Sequence, residues 1–276
     1  MRFLTSPDPA MQRTLRQTLF LVASLGLPAF GQALPSPQGR GPTDGQVFWM
    51  LQNLPMESAR TIGPIINALL DDTTTAHMRM APRRPATRAD SARAADIVRT
   101  MRASLQPYTD VAAAERDGYV RFLPWLEEQK VYHYNSSPSQ RTAGAQFDAS
   151  KPTSLLYRKD AKGKMALMGA MYTAPATATD AELDARLPLG IAFWHQHVNF
   201  CARRPTSAEL SAHLPDSTLV SHSLRIESAE TCAAEGGWFL PQLFGWMAHV
   251  NAFDGDGLET VWGAEGRDHM HAHAHH

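Results

Sequence analysis

The stretch Phe193-Trp194-His195-Gln196-His197-Val198-Asn199-Phe200-Cys201 places two histidines, an amide and a cysteine in an otherwise apolar and aromatic run. Alternate side chains of a β-strand share one face. A strand here would therefore carry two sets on opposite faces: His195, His197 and Asn199 on one, and Trp194, Val198 and Phe200 on the other. A His-x-His pair on a strand can direct two imidazoles at one first-row metal ion. The alternative is a pair of core histidines that hydrogen-bond to their neighbours.

Two further histidines lie in strand-like aromatic contexts, His133 beside Tyr132 and Tyr134, and His249 after Trp246-Met247-Ala248. Either could complete a three-histidine site, which suits Zn²⁺, copper or iron and leaves one position open. The predicted metal ligands are therefore His195, His197, His249 and His133, with copper or zinc ahead of nickel. If the segment around His249 is a strand, Met247 shares a face with His249, and its thioether is the soft kind of ligand that binds Cu(I). The other methionines of the strand region, Met165, Met168 and Met171, are predicted to fill the core.

The N-terminus has the pattern of a secretory signal, residues 1–33, although translation could start at Met11 instead. Arg13 and Arg16 precede an apolar run, and the small residues Gly31 and Ala33 end it. Cleavage near Ala33 would release a periplasmic or secreted protein with no integral membrane segment, because no other stretch approaches the length of a membrane span.

Export favours a disulfide between Cys201 and Cys232, the only cysteines in the chain. The alternative is that Cys201 binds metal beside His195 and His197. The 26 Lys and Arg residues balance 27 Asp and Glu, so the charge gives no reason to expect a nucleic-acid partner. The apolar fraction of 43% supports a sizeable core.

The pattern of apolar residues predicts an α+β fold, in which a helical N-terminal part packs on a mainly antiparallel β-sheet or barrel-like C-terminal part. A flexible linker at 34–44 precedes a helical region at 45–118, a β-rich region at 119–263 and a histidine-rich tail at 264–276. Residues 71–89 are predicted to be a loop. His77, His213 and His222 are predicted to lie on the surface. The predicted helices cover 47–51, 57–70, a segment capped by Asp90 or Ser91 that ends near Leu105, and 111–117. The predicted strands cover 131–135, 154–158, 165–173 and 191–200, the second and third forming a hairpin, with weaker candidates at 219–220 and 224–226.

Two resemblances bear on function. The segments 108–119, 133–135, 152–157 and 167–172 resemble a group of uncharacterised exported bacterial proteins over roughly half of the mature chain, which implies export and no particular activity. His195-x-His197, followed by Gly237, Pro241, Gly245 and His249, is similar to the two histidine motifs of cupins. That resemblance implies a β-barrel with a metal site of three histidines and one carboxylate. Cys201 and Ala202 stand where the first motif would place its glutamate.

Three functions are compatible with these patterns. The first is an exported protein that handles copper or zinc through the internal histidines, with the tail as an accessory chelator. The second is a cupin-like enzyme that uses the same histidines and an open metal position for oxidation or hydrolysis. The third is a metal-free envelope protein whose aromatic residues, Trp194, Phe200, Trp238 and Trp246, line a ligand groove.

Overall fold

The computed structural model describes residues 76–136, 146–202 and 225–263, and the single residues Gln52, Asn53, Gly63, Ala68, Ser139 and Ala208. The predicted signal sequence, the linker and the histidine tail lie outside these residues, as do nearly all of the first two predicted helices and the predicted strand at 219–220. Among the described residues, no helix has the length and apolar character needed to cross a membrane.

Within the described ranges, the fold is α+β, as predicted. The strands are β1 (Met78–Met80), β2 (Tyr119–Arg121), β3 (Tyr132–Ser136), β4 (Ser154–Lys159), β5 (Met165–Ala174), β6 (His195–Ala202) and β7 (Trp238–Val250). The helices are α1 (Arg88–Leu105), α2 (Val111–Arg116), α3 (Asp180–Arg186), α4 (Ala229–Ala234) and α5 (Leu258–Trp262), with a 3₁₀ turn at Gln106–Thr109. All pairings are antiparallel, and the seven strands form one open sheet in the order β1-β6-β7-β5-β4-β3-β2.

Helix α1 begins earlier than predicted, because its N-cap residue is Thr87 and neither Asp90 nor Ser91. The Thr87 hydroxyl accepts from the backbone N–H of Asp90, and the Asp90 carboxylate accepts from the backbone N–H of Thr87 at 2.8 Å, which makes a capping box. The Arg84 guanidinium hydrogen-bonds to Asp90 and holds the pKa of that carboxyl well below its usual value. Arg84 also pairs with Asp184 of α3 at 2.8 Å and so ties the two helices together.

The predicted hairpin is present as β4 and β5, which pair across the turn at 160–164. Gly163 has a φ of 76°, a left-handed conformation that glycine adopts without steric cost, and its N–H donates to the carbonyl of Asp160 at 2.9 Å. The register between the strands shifts between Leu156 and Tyr157, where β5 accommodates an additional residue, Met168. Such a bulge bends a strand and increases its twist.

The predicted loop at 71–89 contains a strand that the sequence pattern did not indicate. Met78–Met80 pairs with His195–His197 as β1, at one edge of the sheet. Three residues are too few to show an alternating pattern, so nothing distinguished them from their loop-like surroundings. Strand β1 nevertheless determines which side chains flank the histidines of β6.

The pleat gives the sheet two chemically different faces. The helix face packs against α1 through the buried residues Ala94, Ile97, Met101 and Leu105 of that helix. Its strand residues in the same core are Tyr132, Tyr134, Leu155, Tyr157, Ala170, Tyr172, Trp246, Ala248 and Val250. The opposite side, the histidine face, is defined here by residues that are paired across neighbouring strands: His133, Leu156, Gly169, Met171, His249, Met247, His195, His197, Met78 and Met80.

A candidate metal site on the histidine face

Strand β6 presents His195 and His197 on the histidine face, as the alternation predicts. Both are buried, and their ring centroids lie 5.5 Å apart. Gln196 between them is buried on the other side, where Arg79 of β1 hydrogen-bonds to its side chain. Trp194, which precedes the strand, lies in the core of the helix face. The predicted opposition of Trp194 and His195 is therefore confirmed.

The alternation ends at Asn199, whose φ is 59°. A positive φ is uncommon for a non-glycine residue and interrupts the regular pleat. The Asn199 amide donates to the carbonyl of Ala76 at 2.6 Å, and so fastens β6 to the residues before β1. The Phe200 ring lies edge-on to the His197 ring, with centroids 5.9 Å apart. The prediction that Phe200 lies on the face opposite His197 is therefore wrong.

A large bulge in β7 brings His249 beside His195. His195 pairs with Met247 and His197 with Leu243, so two steps along β6 correspond to four along β7. Phe244, inside the bulge, has a φ of 65°. A Cβ on Gly245 would lie 2.2 Å from the carbonyl oxygen of Ala174, so glycine is required for β5 to approach this closely.

Beyond the bulge, β7 runs between β5 and β6. The rings of His195 and His249 are perpendicular neighbours there, with centroids 5.4 Å apart.

His133 joins His249 across two intervening strands. Three strand spacings of about 4.8 Å would separate β3 from β7 by about 14 Å in a flat sheet. The Nε2 atoms of the two rings nevertheless lie 3.5 Å apart, so the sheet must curve towards the histidine face. Gly169 of β5 is two residues from Met171, the partner of His249, and a Cβ on Gly169 would lie 1.9 Å from the carbonyl oxygen of Val250. Glycine is therefore required for the end of β7 to approach β5 this closely.

The structure thus brings all four predicted ligands together in one row, in the order His133, His249, His195, His197. Successive ring centroids are 5.3, 5.4 and 5.5 Å apart. His195, His197 and His249 are buried, and His133 is half-buried. Three strands far apart in sequence supply the row, which we call the histidine row.

The spacing within the row can be compared with that of metal ligands. Two imidazole nitrogens bound to one tetrahedral ion at about 2.0–2.1 Å lie about 3.3 Å from each other. The 3.5 Å between Nε2 of His133 and Nε2 of His249 fits such a pair, and also fits a hydrogen bond in which one ring donates to the other. In residues 76–136, 146–202 and 225–263, no group of three or more His, Cys, Asp or Glu side chains is arranged to hold an ion as it stands.

Cys201 and Cys232 form the predicted disulfide, with Cα atoms 5.6 Å apart. The bond joins the end of β6 to α4 and is packed against Ile226 and Phe239. Because a disulfide sulfur is not a thiolate, Cys201 is not available as a metal ligand. The alternative assignment of Cys201 to the metal set is therefore wrong.

The sequence pattern predicts a surface position for His77, and that prediction is wrong. The residue is completely buried, and its ring lies 6.4 Å from that of Phe200 in an edge-on contact. Its carbonyl accepts from the backbone N–H of Val198 at 3.0 Å, next to the pairing of β1 with β6. No sequence signal marked this burial, because the three residues of β1 are too few to show an alternating pattern. His213 and His222 lie outside the described residues.

No protein-family model, curated protein or solved structure matches the chain. Relatives therefore provide no information about the ligand of the histidine row. What the row can bind follows from its own donor atoms, which are imidazole nitrogens held on strands, and from the side chains that surround them.

Proposed function

We propose that this chain is an exported protein that binds copper or zinc through the histidine row. The observation that carries the proposal is the convergence of four imidazoles, from three strands, on one face of the sheet. A neutral imidazole nitrogen is the commonest metal ligand in proteins. Strand positions also hold ligands more rigidly than loops do, which lowers the cost of organising them around an ion.

The four histidines have different places in this proposal. His133 and His249 form the first pair, because their Nε2 atoms already have the spacing of two ligands of one ion. His195 is the third ligand, since its ring is the next neighbour of His249 and a rotation of its side chain would point a nitrogen at the same ion. His197 follows His195 in the row and extends it towards β1.

Export is part of the same proposal. The Cys201–Cys232 disulfide supports it, because structural disulfides persist in oxidising compartments and are rare in the cytosol. The tail histidines, from His269 to His276, would then be accessory chelators, in a compartment where the protein meets external metal.

The metal-free alternative had Trp194, Phe200, Trp238 and Trp246 lining a ligand groove. Trp194 and Trp246 are instead buried in the core of the helix face. The enzyme alternative requires the same metal and a substrate. A positive metal titration is therefore the first test for both metal-dependent functions.

The test is a titration with Zn²⁺ and Cu²⁺ of the full chain in which the five tail histidines are replaced by serine, which removes the strongest competing chelator. We expect one equivalent of metal to bind, and His249→Ala to abolish stoichiometric binding because His249 contacts two other rings of the row. The metal-dependent rise in melting temperature should disappear with it.

The matched control is His77→Ala, which removes a buried histidine outside the row. It is expected to lower stability and to leave the metal stoichiometry of the folded protein at one. Failure of the tail-substituted protein to bind either metal, or equal binding by the folded His249→Ala variant, would overturn the proposal.

A further inference from the structure

Methionines flank the histidines of β6 and β7 in a regular pattern. His195 is paired with Met247 of β7 on one side and with Met80 of β1 on the other. His249 is paired with Met171 of β5, and His197 with Met78 of β1. Directly paired residues of antiparallel strands have Cβ atoms about 4.5–5.5 Å apart on the same face. Each of these three histidines therefore has at least one thioether as its nearest cross-strand neighbour.

The thioethers continue from the interior to the surface. Met171 and Met247 are buried and form a small cluster with Leu156, against which Met168 packs. Met78 is buried as well, whereas Met80, on the edge strand, is 42% exposed. Met80 is thus a large apolar side chain that reaches solvent while its cross-strand neighbour is the buried His195. This arrangement leads from the edge of the sheet to the centre of the histidine row.

The electrostatic surroundings favour a cation of low charge. None of the seven described strands contains an Asp or Glu. A divalent ion among buried side chains that carry no negative charge would keep most of its charge without a compensating anion, and burial of uncompensated charge is costly. A monovalent ion reduces that cost. The absence of strand carboxylates also disfavours Mg²⁺, Ca²⁺ and Mn²⁺, which prefer oxygen ligands.

From these observations we infer that the histidine row binds monovalent copper, with Met247 and Met171 as ligands alongside His195 and His249. Thioethers are soft ligands that select Cu(I), and imidazole also binds copper. The inference rests on the proposed function and narrows it from copper or zinc to Cu(I). It gives the methionines a role other than the filling of core gaps, which is the usual role of this residue.

The test uses the full chain with the five tail histidines replaced by serine, titrated anaerobically with Cu(I) in competition with a chromophoric Cu(I) chelator. The variants are Met247→Leu and Met171→Leu, which keep the apolar volume and remove the sulfur. Each is expected to raise the dissociation constant for Cu(I) by about tenfold or more, because a soft ligand is lost. The dissociation constant for Zn²⁺ should remain within about twofold, because zinc uses the imidazoles.

Met101→Leu is the matched control, since Met101 is completely buried in α1 on the helix face, away from the row. It is expected to leave the Cu(I) affinity unchanged. X-ray absorption of the Cu(I)-loaded protein gives a second readout, in which copper–sulfur scattering should be present and should weaken in Met247→Leu.

Equal Cu(I) affinities in Met247→Leu, Met171→Leu and Met101→Leu, with no copper–sulfur scattering, would overturn the inference while zinc binding could still support the proposed function. If the parent protein binds neither Cu(I) nor Zn²⁺, the proposed function itself is overturned.

Discussion

The two faces of the sheet are made by the same strands and satisfy their polar groups in different ways. On the helix face, tyrosine hydroxyls donate to backbone carbonyls: Tyr157 to Tyr108 at 2.7 Å, Tyr172 to Ala149 at 2.6 Å, and Tyr132 to Glu127 at 2.8 Å. On the histidine face, imidazoles contact one another and lie beside thioethers. The first face therefore uses its polar atoms to stabilise the fold, whereas the second brings together imidazoles and thioethers, which are potential metal ligands.

Adjacent leucines of β4 test this division, because Leu155 is buried on the helix face and Leu156 on the histidine face. Either substitution to alanine should lower the free energy of unfolding by about 2–5 kcal/mol, as expected for a buried leucine. Metal binding should separate the two variants. Leu155→Ala should bind metal like the parent, and Leu156→Ala should bind it more weakly, because Leu156 is paired with His133 and Gly169.

Denaturant unfolding and metal titration of the two variants provide the comparison. If Leu155→Ala weakened metal binding as much as Leu156→Ala in the folded state, the two faces would not be functionally separate.

The Cys201–Cys232 disulfide should contribute to stability without contributing to the metal site. It closes a loop across a sequence separation of 31 residues. Loss of such a constraint is expected to lower the free energy of unfolding by about 3–4 kcal/mol in the chain-entropy model. The measurement is denaturant unfolding of the Cys201→Ser, Cys232→Ser double variant. A folded double variant with parental stability would show that the disulfide does not stabilise the fold. A folded double variant that binds no metal would show that the disulfide is needed for the metal site.

Gly169→Ala should affect the histidine face through its backbone. The new Cβ would lie 1.9 Å from the carbonyl oxygen of Val250, so the end of β7, which carries His249, would have to move. We expect a loss of about 1–3 kcal/mol in stability and weaker metal binding. Gly257→Ala is the control, because the nearest heavy atom to its Cβ would be 3.6 Å away. Equal stabilities and affinities of the two variants would contradict the close approach of β7.

The tyrosines in the core of the helix face should make the protein less stable at alkaline pH. Burial raises the pKa of Tyr119 to about 12 from an ordinary value of 10.0, and burial raises the pKa of Tyr172 as well. The folded state then holds protons that the unfolded state releases, so the stability is complete below pH 10 and falls as the pH rises through about 12. The free energy of unfolding, measured between pH 10 and about pH 12, should decrease as the pH rises. Tyr119→Phe should make this decrease less steep. An unchanged slope would remove Tyr119 as a cause.

The local elements could be predicted because their residue patterns are local. The sequences of the strands around Tyr134, Leu156 and Tyr172 either alternate apolar with polar residues or are continuously apolar. The polar turn near Gly163 separates β4 from β5. The predicted start of helix α2 at Val111 is confirmed, because Asp110 is an effective N-cap, and the helix ends at Arg116, one residue before the predicted end. The sequence does not predict strand β1, because its three residues are too few to show an alternation of apolar and polar side chains.

The row itself could be predicted only as a set of candidate ligands. The contact between His133 and His249 depends on the curvature of the sheet, and the contact between His249 and His195 depends on the bulge at Phe244. These are consequences of long-range pairing, which a local pattern does not contain. The thioethers of Met78 and Met80 became visible as neighbours of the histidines only through the pairing of β1 with β6.

Anomalous diffraction from zinc-loaded crystals of the chain, with its five tail histidines replaced by serine, would locate the metal of the histidine row directly. We expect an anomalous peak about 2.0–2.1 Å from Nε2 of His133 and of His249, with a nitrogen of His195 turned towards it. If the protein is fully loaded with metal in solution but the peak lies elsewhere, or if no ordered metal lies beside these rings, the histidine row is not the metal site.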